Sequence, residues 1–251
     1  MKKNILLLFC ILCSLSAGAQ QMKKIELTKL CEGDLLFCAK EENNPITEVT
    51  QGVSGMKIDH VAILHKQGNK TYALEAIHKG VTLTPIDSFM ARRETVVAAR
   101  LCDTLGVALS VKRALAFLGR PYDFNFMPTD SAFYCSELVQ KCYRYSNGEL
   151  VFKPIAMSFH DETGKVTAYW KEYYGRQGLT VPEGEPGSNP GDLSRSRAIQ
   201  ILGIISFYTG VRKKQRCERK NDSPLIKTRP GEKNARPRKG RKNIYYSNIS
   251  T

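Results

Sequence analysis

Two short apolar, strand-forming runs flank a turn, and no other feature constrains this chain as much. Asp59-His60-Val61-Ala62-Ile63-Leu64-His65 and Thr71-Tyr72-Ala73-Leu74-Glu75-Ala76 lie on either side of Lys66-Gln67-Gly68-Asn69-Lys70. Gly-Asn chemistry between two such runs predicts an antiparallel hairpin. A loop centred between Gln67 and Gly68 places residues whose numbers sum to 135 opposite each other, and His60 and Glu75 meet that condition. Opposed residues share a face, with Cβ atoms about 4.5–5.5 Å apart. A carboxylate so placed holds an imidazole in one tautomer and stabilises its charged form, the task of the third member of a catalytic triad. On spacing alone, a chance pair on a wet face explains the two residues as well. Asp59 reads as a strand-end residue on the opposite face.

The rest of the chain supplies a sheet and helices. Glu32-Gly33-Asp34 turns into Leu35-Leu36-Phe37-Cys38, a short buried strand. Apolar residues at helical spacing predict a helix over Val107–Leu118, stopped by Gly119-Arg120-Pro121, and a second over Cys135–Tyr145. Val181–Asp192 has three Pro and three Gly without periodicity and reads as an extended surface segment. Cys135 opens the second helix. A thiol in a first helical turn meets backbone N–H groups and the positive end of the helix dipole, which favour thiolate and are placed to cradle an oxyanion. Taken by itself, the same cysteine is also a small buried hydrophobe.

Charge and leader residues delimit the domain. The formal charge of +14 suggests a nucleic-acid binder, but Arg212–Lys242 holds fourteen Lys/Arg against three Asp/Glu and so accounts for +11 of it. The body is nearly neutral. Lys2 and Lys3, the apolar run Ile5–Leu15 and Ala17-Gly18-Ala19 form an export-signal pattern over residues 1–19, too short for a comfortable membrane span. Residues 20–197 are then the domain. Residues 198–251 are an apolar stretch, Ala198–Val211, followed by a basic, Pro-interrupted tail that cannot pack a core. An anionic envelope surface is the expected partner of that tail, and nucleic acid is not expected in an exported protein. The mature chain keeps Cys31, Cys38, Cys102, Cys135, Cys142 and Cys217. Their irregular, sparse spacing argues against a disulfide framework, and no pair has zinc-ligand spacing with a histidine.

Five segments in one order resemble a known family: Gly33-Asp34-Leu35-Leu36-Phe37, Asp59-His60-Val61-Ala62-Ile63, Leu74-Glu75-Ala76 with Gly80-Val81, Gly119-Arg120-Pro121-Tyr122-Asp123, and Tyr134-Cys135-Ser136-Glu137-Leu138-Val139. The chain resembles the YiiX/YebB-like cysteine hydrolases, the circularly permuted branch of the NlpC-type, papain-like cell-wall peptidases, over about residues 32–197. That resemblance implies an α+β fold with an antiparallel sheet packed against helices and a nucleophile at a helix N-terminus. It implies Cys135 as nucleophile, His60 as general base and Glu75 as the polar third residue, with no metal or cofactor. The implied substrates are amide bonds of peptidoglycan stem peptides or related fragments, met in the periplasm or cell envelope. A lipid acyl hydrolase or acyltransferase of the lecithin:retinol acyltransferase-like type, and a non-catalytic binding module, remain as alternatives. Tyr134 beside the nucleophile, and Tyr122 and Asp123 after the Gly-Arg-Pro turn, are candidate substrate-binding residues; turn and core packing explain them equally well. His65, His78 and His160 read as structural or surface residues, and Trp170 with Tyr169, Tyr173 and Tyr174 as core.

Overall fold

A computed structural model describes residues 22–206. Residues 1–19, expected to be an export signal, and the basic stretch with Cys217 lie outside the described residues. In chain order the elements are β1 (Lys24–Glu26), β2 (Leu35–Lys40), β3 (Lys57–Gln67), β4 (Lys70–Ile77), β5 (Gly80–Pro85), α1 (Ile86–Met90), β6 (Thr95–Leu101), α2 (Val107–Leu115), α3 (Cys135–Cys142), β7 (Ile155–Ala156), α4 (Ala168–Gly175), β8 (Pro186–Gly187), α5 (Pro190–Ser194) and β9 (Ile199–Ser206). Seven strands form one sheet in the order β1-β9-β6-β2-β3-β4-β5, antiparallel except for the β1–β9 pair. This is the expected α+β arrangement.

Both faces of the sheet are covered. Leu35, Phe37, Ile63 and Leu74 face the larger core, which α2, α3 and α4 complete with Val111, Leu138, Val139, Trp170 and Tyr174. Leu36, Leu64, Ala73 and Val96 face a smaller core closed by Ile86, Phe89 and Met90 of α1. Burial on both faces explains why the central strands read as near-continuous apolar runs rather than alternating ones.

The hairpin forms, with its register moved by two. Ile63 faces Leu74 and Gln67 faces Lys70, so Gly68 and Asn69 alone make the loop, and Gly68 takes φ +58°. A glycine at the first position of a two-residue loop supplies the positive φ that the strand twist needs. The side-chain period of a strand is two, so the move keeps His60 and Glu75 on one face, as diagonal rather than direct neighbours. Asp59 is not at the strand end. Cys38 pairs with His60 and Ala39 with Ile58, which leaves Asp59 as the extra residue of a β-bulge that interrupts the alternation.

Three other boundaries differ from expectation. The domain does not stop at Arg197, because β9 lies inside the sheet between β1 and β6. The helix opened by Cys135 ends at Cys142, where Tyr143 turns extended and donates its hydroxyl to Gly33 O at 2.8 Å. The helix at Val107 ends at Leu115 in tighter turns, and Gly119 and Arg120 bond to the backbone of Val81 instead.

Candidate active site

Glu75 is fully buried and is the centre of a polar cluster on the smaller core's side of the sheet. Its Oε2 lies 2.8 Å from His60 Nε2, and its Oε1 accepts from Thr84 Oγ1 at 2.6 Å and from Arg92 Nη2 at 2.7 Å. Arg93 Nη2 stands 3.5 Å from Oε2, with its guanidinium 5.3 Å above the Phe89 ring. β4 carries the carboxylate, β3 the imidazole and β5 the threonine, and the arginines follow α1. Burial alone would raise the Glu75 pKa. Hydrogen bonds from His60 and Thr84, with the charges of His60 and Arg93, overcome it and hold the carboxyl down at about 2. Burial, followed by the charge of Arg93, lowers His60 below its ordinary value despite Glu75. At neutral pH the pair is therefore a carboxylate bonded to a neutral imidazole. Because Glu75 occupies Nε2, Nδ1 is the nitrogen left to act as a base.

Cys135 is the first residue of α3, 5% exposed, and the preceding Tyr134 is extended with no side-chain cap. The first intrahelical bond runs from Leu138 N–H to Tyr134 O, leaving earlier N–H groups of the turn free of helical acceptors. The backbone N–H groups of Val61 and Ser136 bond to the Cys135 sulfur. β3 and β4 pair only from Ile63 and Leu74 onward toward the loop, so the sulfur sits where the hairpin has splayed, one residue along from His60. Among the described residues no hydrogen bond joins the thiol to His60. Burial pushes the thiol up to about 12, outweighing both N–H bonds. The expectation of a resting thiolate is thus corrected: desolvation exceeds what a helix N-terminus gives back.

Beside the sulfur opens a narrow apolar cleft. Tyr122, Phe126, Tyr134, Met157, Phe159 and Trp170 form much of its wall, with Ile46 and Val49 at one side and Ser136 and Ser188 near the thiol. The Tyr134 hydroxyl accepts from Ser188 N–H at 3.1 Å, and Ser188 Oγ donates to Ser136 Oγ at 3.1 Å. Trp170 Nε1 donates to Pro45 O at 3.2 Å, tying α4 to the loop that carries Ile46 and Val49. Phe126 takes φ +53°, a conformation uncommon for a non-glycine residue, and packs 5.3 Å from the Tyr134 ring and 5.7 Å from Trp170.

Of the residues singled out in the sequence, His60 and Glu75 are in contact, and Cys135 stands beside the backbone of the residue after His60. Tyr122 and Tyr134 line the cleft. Asp123 does not; it accepts from the backbone N–H groups of Asn125 at 2.9 Å and Met127 at 2.7 Å and so shapes the loop that presents Phe126. Trp170 is core and cleft wall at once. Val181–Asp192 is not wholly surface, since Gly187, Ser188 and Pro190 are buried and reach the cleft region. A Cβ on Gly187 would fall 2.4 Å from Met157 Sδ and 2.9 Å from the Tyr134 hydroxyl. Arg92 and Arg93 escaped sequence reasoning, their only signal being adjacency to a short helix after the hairpin.

A buried cysteine at a helix N-terminus, met in the chain after its histidine and carboxylate, is the layout of a permuted papain-like hydrolase. The model of the permuted papain-like amidase enzymes, YaeF/YiiX, C92 family, matches residues 29–202, and the chain belongs to that family. It is a cysteine hydrolase of the amidase type. The chain is 30% identical over 180 residues to the uncharacterized protein YiiX of Escherichia coli K12, covering 69% of this chain and 84% of that protein. A crystal structure described as that of the metalloprotein yiiX from Escherichia coli O157:H7 superposes with a TM-score of 0.57 at 25% identity, covering 68% of this chain and 96% of the other. Among the described residues here, no group of three or more His, Cys, Asp or Glu side chains is placed to hold a metal ion.

Proposed function

We propose that this protein is an exported cysteine amidase in which Cys135 attacks a substrate carbonyl, His60 transfers the proton and Glu75 fixes the imidazole. The observation that carries the proposal is the position of Cys135 at the splayed end of the hairpin that holds the His60–Glu75 pair. The resting pair is neutral thiol and neutral imidazole, so the proton moves from Sγ to Nδ1 as the C–S bond forms. Catalytic contacts of this kind commonly tighten on substrate binding. Backbone N–H groups around the thiol stabilise the developing oxyanion. His60 then gives its proton to the leaving amine, and water activated by the same imidazole hydrolyses the thioester.

The leader-like residues 1–19 support a periplasmic or envelope setting, where peptidoglycan stem peptides and their fragments are the amide substrates at hand. The basic tail supports contact with an anionic envelope surface. The test is release of free amine from purified muropeptides by the full chain, against its Cys135→Ala and His60→Ala variants. A loss of about 1,000-fold or more in each variant is expected. Retention of activity by Cys135→Ala would overturn the reading. Acyl transfer to or from lipid without amine release would favour the lecithin:retinol acyltransferase-like alternative.

A further inference from the structure

His60 carries a proton only in mid-reaction, and the charges around the ring decide how readily it gives that proton away. Each element packed against it presents an ionisable group. β4 brings Glu75, with Oε2 2.8 Å from Nε2. β2 brings Cys38, directly opposite His60 in the strand register, and α3 brings Cys135; burial pushes both thiols up to about 12 and so keeps them uncharged. Asp59 precedes His60 in β3, and its Oδ2 is already matched by Lys40 Nζ at 3.3 Å and Asn44 Nδ2 at 2.7 Å. The segment after α1 brings two arginines to one carboxylate, with Arg92 Nη2 2.7 Å from Glu75 Oε1 and Arg93 Nη2 3.5 Å from Oε2.

One carboxylate facing two guanidiniums is not a net anion behind the imidazole. The Arg92 side chain is 30% exposed and screened by water, whereas that of Arg93 is 2% exposed and acts at nearly full strength. In a Ser-His-Asp triad the carboxylate both orients the imidazole and stabilises its charged form. Here the orienting hydrogen bond remains, while the arginines offset the negative charge. An imidazolium formed beside that excess of positive charge releases its proton readily. The lowering of His60 by burial and Arg93, despite Glu75, agrees with this balance.

Leaving groups differ in their need for such an acid. An amine leaves a tetrahedral intermediate only once its nitrogen is protonated, whereas p-nitrophenolate leaves unaided. We propose that Arg93 is a positioning residue that, through Glu75, keeps His60 a strong general acid and so matches the site to amides rather than to esters. The inference rests on His60 as the proton carrier of the amidase reaction. The thiol proton passes to Nδ1 as the C–S bond forms, and then to the amine nitrogen as the C–N bond breaks.

The test compares the full-length wild type with Arg93→Gln, Arg93→Lys and Arg92→Gln. Titration of the His60 ring is followed by NMR, and acylation of Cys135 by p-nitrophenyl acetate is timed against amine release from purified muropeptides. Arg93→Gln should raise the His60 midpoint by about one pH unit or more. A more basic imidazole takes the thiol proton more easily, so ester acylation should quicken about threefold, while the amide-to-ester rate ratio falls about tenfold. Arg93→Lys keeps the charge and should hold the midpoint near that of the wild type. Arg92→Gln, at the more exposed position, should move the midpoint the same way by a smaller step, and it decides the matter should Arg93→Gln fail to fold. An unmoved midpoint, or ester and amide rates falling by one common factor, overturns the inference and leaves Arg93 a packing residue. If the wild type releases no amine from muropeptides, the substrate reading falls instead, and the His60 midpoint with the ester rate still decides the role of Arg93.

Discussion

Placing Cys135 at 5% exposure sets the pH behaviour of the site. With the thiol pushed up to about 12, alkylation by iodoacetamide should accelerate about tenfold per pH unit from pH 7 to 10 without levelling off. A plateau already reached at pH 7 would reveal a resting thiolate–imidazolium pair and contradict the burial argument. Burial and Arg93 lower the His60 pKa, so the imidazole stays able to accept a proton below pH 6.5. The acid limb of kcat/KM for the proposed amidase reaction should accordingly fall below that value. Glu75→Gln removes the anion that Arg92, Arg93 and His60 share. It is expected to reduce kcat about 100-fold or more and to destabilise the fold by about 2–4 kcal/mol, checked by steady-state kinetics and urea titration.

At the scale of elements, the motif Gly33-Asp34 proves structural rather than chemical. Gly33 takes φ +75°, and a Cβ there would lie 2.2 Å from Val107 Cγ1 at the start of α2. Asp34 grips Arg100 of β6 through both oxygens at 2.7 Å. Gly33→Ala should cost about 2–4 kcal/mol in chemical denaturation while leaving the cleft chemistry intact in the folded fraction. The hairpin and the two helix starts were legible because apolar period and turn residues are local signals. The register moved by two because two residues close a hairpin without strain, while five residues of turn-prone sequence left the loop's centre open. The Glu75 pairing survived only because parity did. The apolar stretch Ala198–Val211 falls outside the domain in the sequence reading because it carries no charge and the partners of β9, β1 and β6, lie far away in sequence. The cleft was hidden for the same reason: Val49, Phe126, Met157, Trp170 and Ser188 are gathered only by folding.

For the molecule as a whole, buried ionisable groups bound the pH range of stability. Glu75 is held at about 2 against 4.5, so its stabilisation is complete above pH 4.5 and is lost as pH falls toward 2. Cys38, Cys135 and Cys142 are each pushed from 9.0 up to about 12, so the unfolded chain loses protons above pH 9 that the folded one keeps. The melting temperature should therefore decline on both sides of a plateau spanning about pH 5 to 9. Truncation after Val211 should leave both melting temperature and activity unchanged, whereas truncation after Arg197 deletes β9 and should abolish folding, as followed by circular dichroism. The first and last strands of the sheet are also neighbours, with Lys24 beside Ile204 and Glu26 beside Ser206. Because the two strands run parallel, a linker of about a dozen residues from Ser206 back to Met22, with new ends opened at the exposed Thr104–Leu105 link between β6 and α2, would preserve every strand pairing. Such a rewired chain would encounter Cys135 before His60. The direction in which the gene spells out this site is therefore a choice of starting point on a loop, and the chemistry is indifferent to it.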